Sequence, residues 1–207
     1  PKTKKIFWVA HRRNLPIFTF VNKLDRYGRN PFDLMDEIEK ILGIRAYPID
    51  WPIGIDGHYK GVYNRLEKTV ELFEEDGSHG ANKLQSTTGS LDDPQIKEML
   101  GEELYQNLCN DIELLDMAGD EFDLERVNAG ELSPMFFGSA MTNFGVQAFL
   151  ERFLEMSPTP QPRLLQDGST IEPDNEAFSA FVFKIQANMN PAHRDRKAAN
   201  WFGGYYW

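Results

Sequence analysis

The stretch that most limits the fold runs from Pro16 to Asp50. An apolar, β-branched and aromatic run, PIFTFV at 16–21, stops abruptly at Asn22-Lys23-Leu24-Asp25. A helix signal follows. Asn30-Pro31 puts proline in the first turn, where its missing amide breaks no bond, and Leu34, Ile38, Ile41 and Leu42 form an apolar stripe that Gly43 ends. Residues 45–50, RAYPID, read as a second short strand. Strand, helix, strand at this spacing predicts a βαβ unit with parallel strands and a right-handed crossover, hence an α/β fold.

The rest of the chain extends this pattern. Residues 2–14 read as a helix with Ile6, Phe7 and Ala10 on one face, and Trp8 and Trp51 are expected in the core. HYKGVYNRLEKTVELF at 58–73 reads as a hairpin. Glu74 to Ser90 is acidic, then rich in Gly, Ser and Thr, and is expected to be an exposed loop. Helical patterns cover 92–118 and 121–128, and LSPMFF at 132–137 is a strand that turns at Gly138. An amphipathic helix at 143–156 gathers Val146, Phe149, Leu150, Phe153 and Leu154 on one side. Pro158, Pro160 and Pro162 then alternate, and proline fixes φ and lacks a donor, so a stiff linker and a domain boundary belong there. Beyond it, AFSAFVFKIQAN alternates like the first strand of a β-domain. The expected division is 1–157, with an inserted subdomain at 58–130, a linker at 158–170, and the start of a second domain at 171–207. The opening Pro1-Lys2-Thr3 enters a helix without a cap and reads as part of something longer.

At 207 residues and 41% hydrophobic, the chain can bury one sizeable core plus a fragment, or two small domains. A net charge of -10 argues against non-specific binding along a phosphate backbone, though a nucleotide pocket or a ribonucleoprotein partner depends on local charge. No apolar run is long enough to cross a bilayer, and no signal peptide pattern occurs. The single cysteine, Cys109, forms no internal disulfide, fits a reducing cytoplasm, and reads as a core thiol.

In an open α/β sheet, ligands sit outside the carboxyl ends of the parallel strands. Two strands end there in polar or tight-turn chemistry, at Asn22–Asp25 and at Gly138-Ser139-Ala140. Guanine presents an O6 acceptor, an N1–H donor and a 2-amino donor. One ionised aspartate accepts from both donors at once, whereas adenine would face it with an acceptor. Asp25 is therefore the candidate for base specificity. Asn22 can bond the base and tie the loop, the Lys23 stem can cover the ring face, and the Ala140 amide can meet O6. The plainer reading is that Asp25 caps the following turn and Lys23 is solvated.

With these residues assembled, the sequence resembles the translational GTPases, and within them the bacterial peptide chain release factor 3 family. TFVNKLDR matches the family's guanine-specificity loop, PIDWPIG the segment after its next strand, and AGELSPMFFGSAMTNFGV its last G-domain strand and base-contacting turn. FVFKIQANMNPAHRDR matches the start of its second, β-barrel domain. The resemblance runs from about Pro1 to Arg196. It implies the C-terminal half of a P-loop-type G domain, a parallel sheet with flanking helices and an inserted hairpin and helical subdomain, followed by the start of a β-barrel. It implies guanine binding by Asn22, Lys23, Asp25, Ser139 and Ala140, with GTP or GDP as ligand and Mg2+ in the intact protein. It also implies a cytoplasmic factor whose GTP hydrolysis promotes release of codon-reading release factors from the ribosome.

Two departures bound this expectation. The family's phosphate-binding pattern, G-x-x-x-x-G-K-S/T, and its switch segments do not occur in these residues. KAANWFGGYYW at Lys197–Trp207 also leaves the family pattern and reads as a truncation scar or foreign sequence. The chain alone is thus expected to bind GTP poorly and not to hydrolyse it. HRDRKAAN at 193–200 fits a kinase catalytic loop, but no Gly-rich loop, V-A-I-K lysine or D-F-G accompanies it. His11, His58 and His79 show no metal-ligand spacing, and the carboxylates of ELFEED and DEFDLE read as solvated faces. The reading from another class is a non-catalytic interaction module, with 92–128 binding a protein partner.

Overall fold

The computed structural model describes residues 2–54, 59–73 and 86–178. The chain divides into two compact units, Pro1–Ser157 and Pro158–Trp207. The first unit runs α1 (Lys2–His11), β1 (Thr19–Val21), α2 (Pro31–Leu42), β2 (Arg45–Pro48), β3 (Asp50–Ile53), β4 (Gly61–Asn64), β5 (Thr69–Phe73) and β6 (Ser86–Ser90). It continues through α3 (Pro94–Leu100), α4 (Glu102–Ala118), α5 (Leu124–Asn128), β7 (Leu132–Phe137) and α6 (Val146–Met156).

The main sheet has three parallel strands in the order β1-β7-β2. The expected strand, helix, strand succession is present in β1, α2 and β2, but β7 lies between the two strands. Thr19 faces Met135 on one side of β7, and Pro48 faces Met135 on the other. All six residues of β7 are buried, as a parallel strand covered on both faces requires. Side chains alternate along it. Met135 and Phe137 join a core with Ala46, Trp51 and the α2 residues Phe32, Leu34, Met35 and Ile38. Leu132 and Phe136 join the opposite core with Tyr47, Ile49, Val127 and Met156.

α2 starts and stops where its sequence directs. The Asn30 side chain accepts from the Phe32 amide at 2.8 Å, Pro31 occupies the first turn, and Gly43, at φ 72°, donates its amide to Glu39. Ile41 of the expected stripe is exposed, while Leu34, Ile38 and Leu42 are partly buried.

The second sheet is antiparallel, β3-β4-β5-β6. It carries the expected hairpin, β4 to β5, but begins at Asp50, ahead of the subdomain start expected at residue 58. Trp51 anchors it. The ring is fully buried, packs on Phe32 and Phe137, and donates Nε1–H to Asp111 on α4 at 2.9 Å. Residues 86–90, expected as loop, form β6 against β5, because ladder bonding to Thr69–Phe73 satisfies a backbone whose side chains alone carry no burial signal. The expected helix at 92–118 is two helices. They break at Gly101, whose φ of 76° no helical residue adopts. The DEFDLE carboxylates are structural: Asp120 pairs with Arg45 and Arg126, and Asp123 caps α5.

Several expected faces are less buried than their periodicity suggests. On α1, Phe7 is buried but Ile6 and Trp8 are exposed, so Trp8 is not a core residue. On α6, Phe149 packs on Phe20 and Phe136, while Leu150, Phe153 and Leu154 are exposed. Cys109 is a free, half-buried thiol on α4.

In the second unit, β8 (Arg163–Leu164) and β9 (Thr170–Ile171) form a short antiparallel hairpin. Asp167 shapes its turn by accepting from the amide and hydroxyl of Ser169, which lowers its carboxyl pKa. Residues 163–164 and 170 of the expected linker are therefore paired. The expected β-domain strand at 177–188 falls largely outside the described residues. The HRDR stretch, the tail, His58 and His79 lie wholly outside them.

Candidate functional site

Parallel pairing of β1 with β7 brings the ends of the two strands side by side, with Val21 facing Phe137. Gly138 continues the ladder: its amide donates to Val21 at 3.0 Å, and its carbonyl accepts from the Leu24 amide at 3.2 Å. The two loops that follow must therefore leave the sheet together.

Their side chains cross-link them. Ser139 Oγ, on a fully buried residue, donates to Asp25 Oδ1 at 2.5 Å. Asn22 Oδ1 accepts from two backbone amides, Lys23 at 2.8 Å and Ala140 at 2.9 Å. These two donors fix which end of the Asn22 amide is oxygen, and its Nδ2 group makes no bond to the described residues. Lys23 holds φ at 75°, a left-handed conformation that lets the chain turn sharply between Asn22 and Asp25. Leu24 tucks back against the core.

Glycine is required behind the second loop. A Cβ on Gly138 would lie 2.3 Å from the Phe144 carbonyl oxygen and 2.9 Å from Phe20 Cζ. That crowding reflects the tight return in which Ser139 bridges Phe144, its amide donating to the Phe144 carbonyl at 2.9 Å. Gly145, at φ 69°, ends the return and starts α6; a Cβ there would lie 2.6 Å from the Phe137 carbonyl oxygen.

The Ser139 hydroxyl holds the Asp25 carboxyl below the usual range, helped by the adjacent Arg26 charge and opposed by partial burial. Asp25 thus stays ionised throughout the neutral range. Its Oδ2 lies 3.5 Å from Arg26 Nε, and its side chain remains 19% exposed. The result is a negative, half-open acceptor beside a backbone turn.

All five sequence-predicted residues, Asn22, Lys23, Asp25, Ser139 and Ala140, come together here. One contact differs from expectation, since the Ala140 amide is bonded to Asn22 rather than left for a ligand. Sequence reasoning did not single out Arg26, which touches both Asp25 and Met141, or Thr142, whose amide approaches Ser139 Oγ at 3.4 Å. Their only signal was adjacency to the two loops. Among the described residues, no group of three or more His, Cys, Asp or Glu side chains is disposed to hold a metal.

Over residues 1–159, the chain matches the family described as the elongation factor Tu GTP binding domain. It is 55% identical over 198 residues to peptide chain release factor 3 of Symbiobacterium thermophilum, covering 96% of this chain and 37% of that protein. It is 51% identical over 197 residues to peptide chain release factor 3 of a Synechocystis species, covering 95% and 36%. A crystal structure of a Thermus thermophilus protein superposes with a TM-score of 0.55 at 23% identity, covering 89% of this chain and 27% of that one, a likeness of fold. The chain thus spans little more than a third of the length of the curated relatives, 37% and 36%.

Proposed function

Because the chain belongs to the elongation factor Tu GTP binding domain family, we propose that the ends of β1 and β7 read the guanine ring of GTP or GDP. The observation that carries this reading is the ionised Asp25, oriented by Ser139 at the joint end of two parallel strands. Its carboxylate accepts from N1–H and the 2-amino group of guanine. Adenine places an acceptor against the same oxygens and is rejected, because a site built to satisfy donors leaves mispaired groups buried. Asn22 Nδ2 supplies donors to the ring acceptors, the Lys23 stem lies over a ring face, and the Ala140 amide exchanges its Asn22 bond for guanine O6.

The whole protein, on this reading, is a GTPase of translation termination that acts on the ribosome to release codon-reading release factors, as its similarity to proteins named release factor 3 suggests. These 207 residues contribute base recognition. Among the described residues no group of three or more His, Cys, Asp or Glu side chains gathers to hold a metal ion, and the G-x-x-x-x-G-K-S/T pattern does not occur in the sequence. Phosphate contacts normally bring most charge-assisted bonds, so the chain alone binds guanine nucleotide weakly and without turnover. No helix among the described residues is long and apolar enough to cross a membrane.

Titration with mant-GDP tests the reading, in the chain and in the intact protein. Saturable binding displaced by GDP and not by ADP is expected. In the intact protein, Asp25→Asn lowers GDP affinity at least about tenfold and raises that for xanthosine diphosphate, whose 2-oxo group now meets an amide donor. Unchanged affinities for both nucleotides would remove Asp25 from the base contact. An absence of guanine-selective binding in either form would favour the non-catalytic interaction module.

A further inference from the structure

The turn that carries Ser139 and Ala140 has little to restrain it on its open side. Ala140 and Asn143 are exposed, and Met141 is 61% exposed. The turn closes where Ser139 bridges Phe144, and it does so through left-handed backbone, with Asn143 at φ 61° and Gly145 at φ 69°. A residue with a side chain keeps that conformation only where other contacts hold it.

Those contacts come from a distant part of the sequence. The Phe144 ring stacks on Phe73 of β5, with centroids 4.6 Å apart and planes within 8° of parallel. Tyr59 completes the group, its ring 5.8 Å from Phe73 and 5.9 Å from Phe144. Tyr59 is 7% exposed and donates its hydroxyl to the Phe137 carbonyl at 3.4 Å, one residue before Gly138. Tyr59 and Phe73 stand at the same end of the β4–β5 ladder, where the Phe73 amide donates to the Lys60 carbonyl at 2.8 Å. The antiparallel sheet therefore meets the turn on both sides, at its entry through Phe137 and at its exit through Phe144.

The stack bears directly on the groups that the proposed function uses. The Phe144 carbonyl accepts from the Ser139 amide at 2.9 Å, the Ser139 hydroxyl orients Asp25, and the Ala140 amide follows in the chain. A stacked aromatic pair contributes beyond its buried area, enough to shift a local opening equilibrium by about three- to tenfold.

We propose that Phe73 is a positioning residue for base recognition: through Phe144 it keeps Ser139 and Ala140 set against Asp25, so that the inserted sheet, which holds none of the residues proposed to read the base, sets guanine affinity. The inference rests on the base-reading role given to Asp25 above, and two measurements separate the one from the other. Hydrogen exchange of the labelled 207-residue chain needs no nucleotide. Phe73→Ala should speed exchange of the Ser139 and Ala140 amides about three- to tenfold relative to Arg45 and Ile49, whose amides bond to Glu131 and Met135. A residue that only stabilised the fold would speed all four alike. In the intact protein, Phe73→Ala should weaken mant-GDP binding about three- to tenfold, and by less once Ser139→Ala is present, because the hydroxyl it positions is then gone. If Phe73→Ala does not fold, Phe73→Leu, which keeps apolar bulk without a ring face, decides by the same comparisons. The proposal is overturned if the four amides respond alike, if GDP affinity is unchanged, or if the losses from Phe73→Ala and Ser139→Ala simply add. An unaltered intact protein that binds GDP no better than ADP would overturn the base-reading role itself, and the part of Phe73 in it, even with the exchange pattern as expected.

Discussion

Asp50 offers a direct test of how the two sheets are joined. It opens β3, is 1% exposed, and neither carboxylate oxygen has a hydrogen-bond partner among the described residues. Burial pushes its pKa from 3.8 up to about 7, with Glu71 and Glu67 adding to the rise and Arg152 opposing it. The folded carboxyl therefore keeps a proton that the unfolded chain gives up. Stability from this group is greatest below the unfolded pKa and falls as pH rises through the window from 3.8 to about 7. A shift of about three pH units at 1.36 kcal/mol each amounts to about 4 kcal/mol, fully incurred above the folded pKa. Asp50→Asn keeps the shape and removes the charge. Relative to the parent, the variant should gain about 3 kcal/mol of stability between about pH 4.5 and about pH 8, because other groups titrate alike in both. Urea unfolding followed by far-UV circular dichroism at the two pH values measures this, and carbon-detected NMR of the Asp50 carboxyl reads its midpoint. A stability difference that stays flat across that interval, to within about 0.5 kcal/mol, would refute the reasoning.

Three further changes probe the site and its frame. Ser139→Ala removes the 2.5 Å bond that orients Asp25; its pKa should return toward 3.8, and mant-GDP affinity in the intact protein should fall about tenfold with the fold retained, an unaltered affinity contradicting the role given to the hydroxyl. Gly138→Ala forces a methyl against the Phe144 carbonyl oxygen and should lower stability by about 1–3 kcal/mol, seen as a reduced urea midpoint. Asn30→Ala deletes the cap on α2 at a cost of about 1 kcal/mol, whereas Asn30→Ser should retain most of it, both read from the same unfolding curves.

Which parts of the molecule could be read from sequence follows from how local their causes are. The bounds of α2 were legible because Asn30, Pro31 and Gly43 act within a turn of where they stand. The six residues of β7 were legible because a strand buried on both faces is apolar throughout. The five residues proposed to read the base were singled out as chemistry at strand ends, and parallel pairing of β1 with β7 accounts for their lying together. What was missed depends on distant partners. Nothing in STTGS announces a strand, since β6 exists through its ladder with β5. Nothing in 16–50 reveals that a later strand enters between β1 and β2. Trp8 and Leu154 look like core residues by type, yet burial depends on what stands opposite them, and α1 and α6 leave both exposed. Asp50 was invisible as a buried acid because RAYPID gives no hint that its carboxylate faces inward.

The central position of β7 has a consequence for how the chain is made. β1 and β2 both leave the ribosome before β7 does, but the ladder that unites them needs residues 132–137. Until those are synthesised, each of the two has an unpaired edge on the side that β7 will occupy, and everything from Ile49 to Glu131 must be accommodated first. Closure of the sheet is thus a late, long-range event, slower than the hairpins within the antiparallel part. It also sets the moment at which Asp25 meets Ser139. A nascent chain halted before Phe137 would carry the Asn22–Asp25 loop without the Ser139 hydroxyl to orient it, so the arrangement proposed to read the base arises only after the intervening subdomain has taken shape.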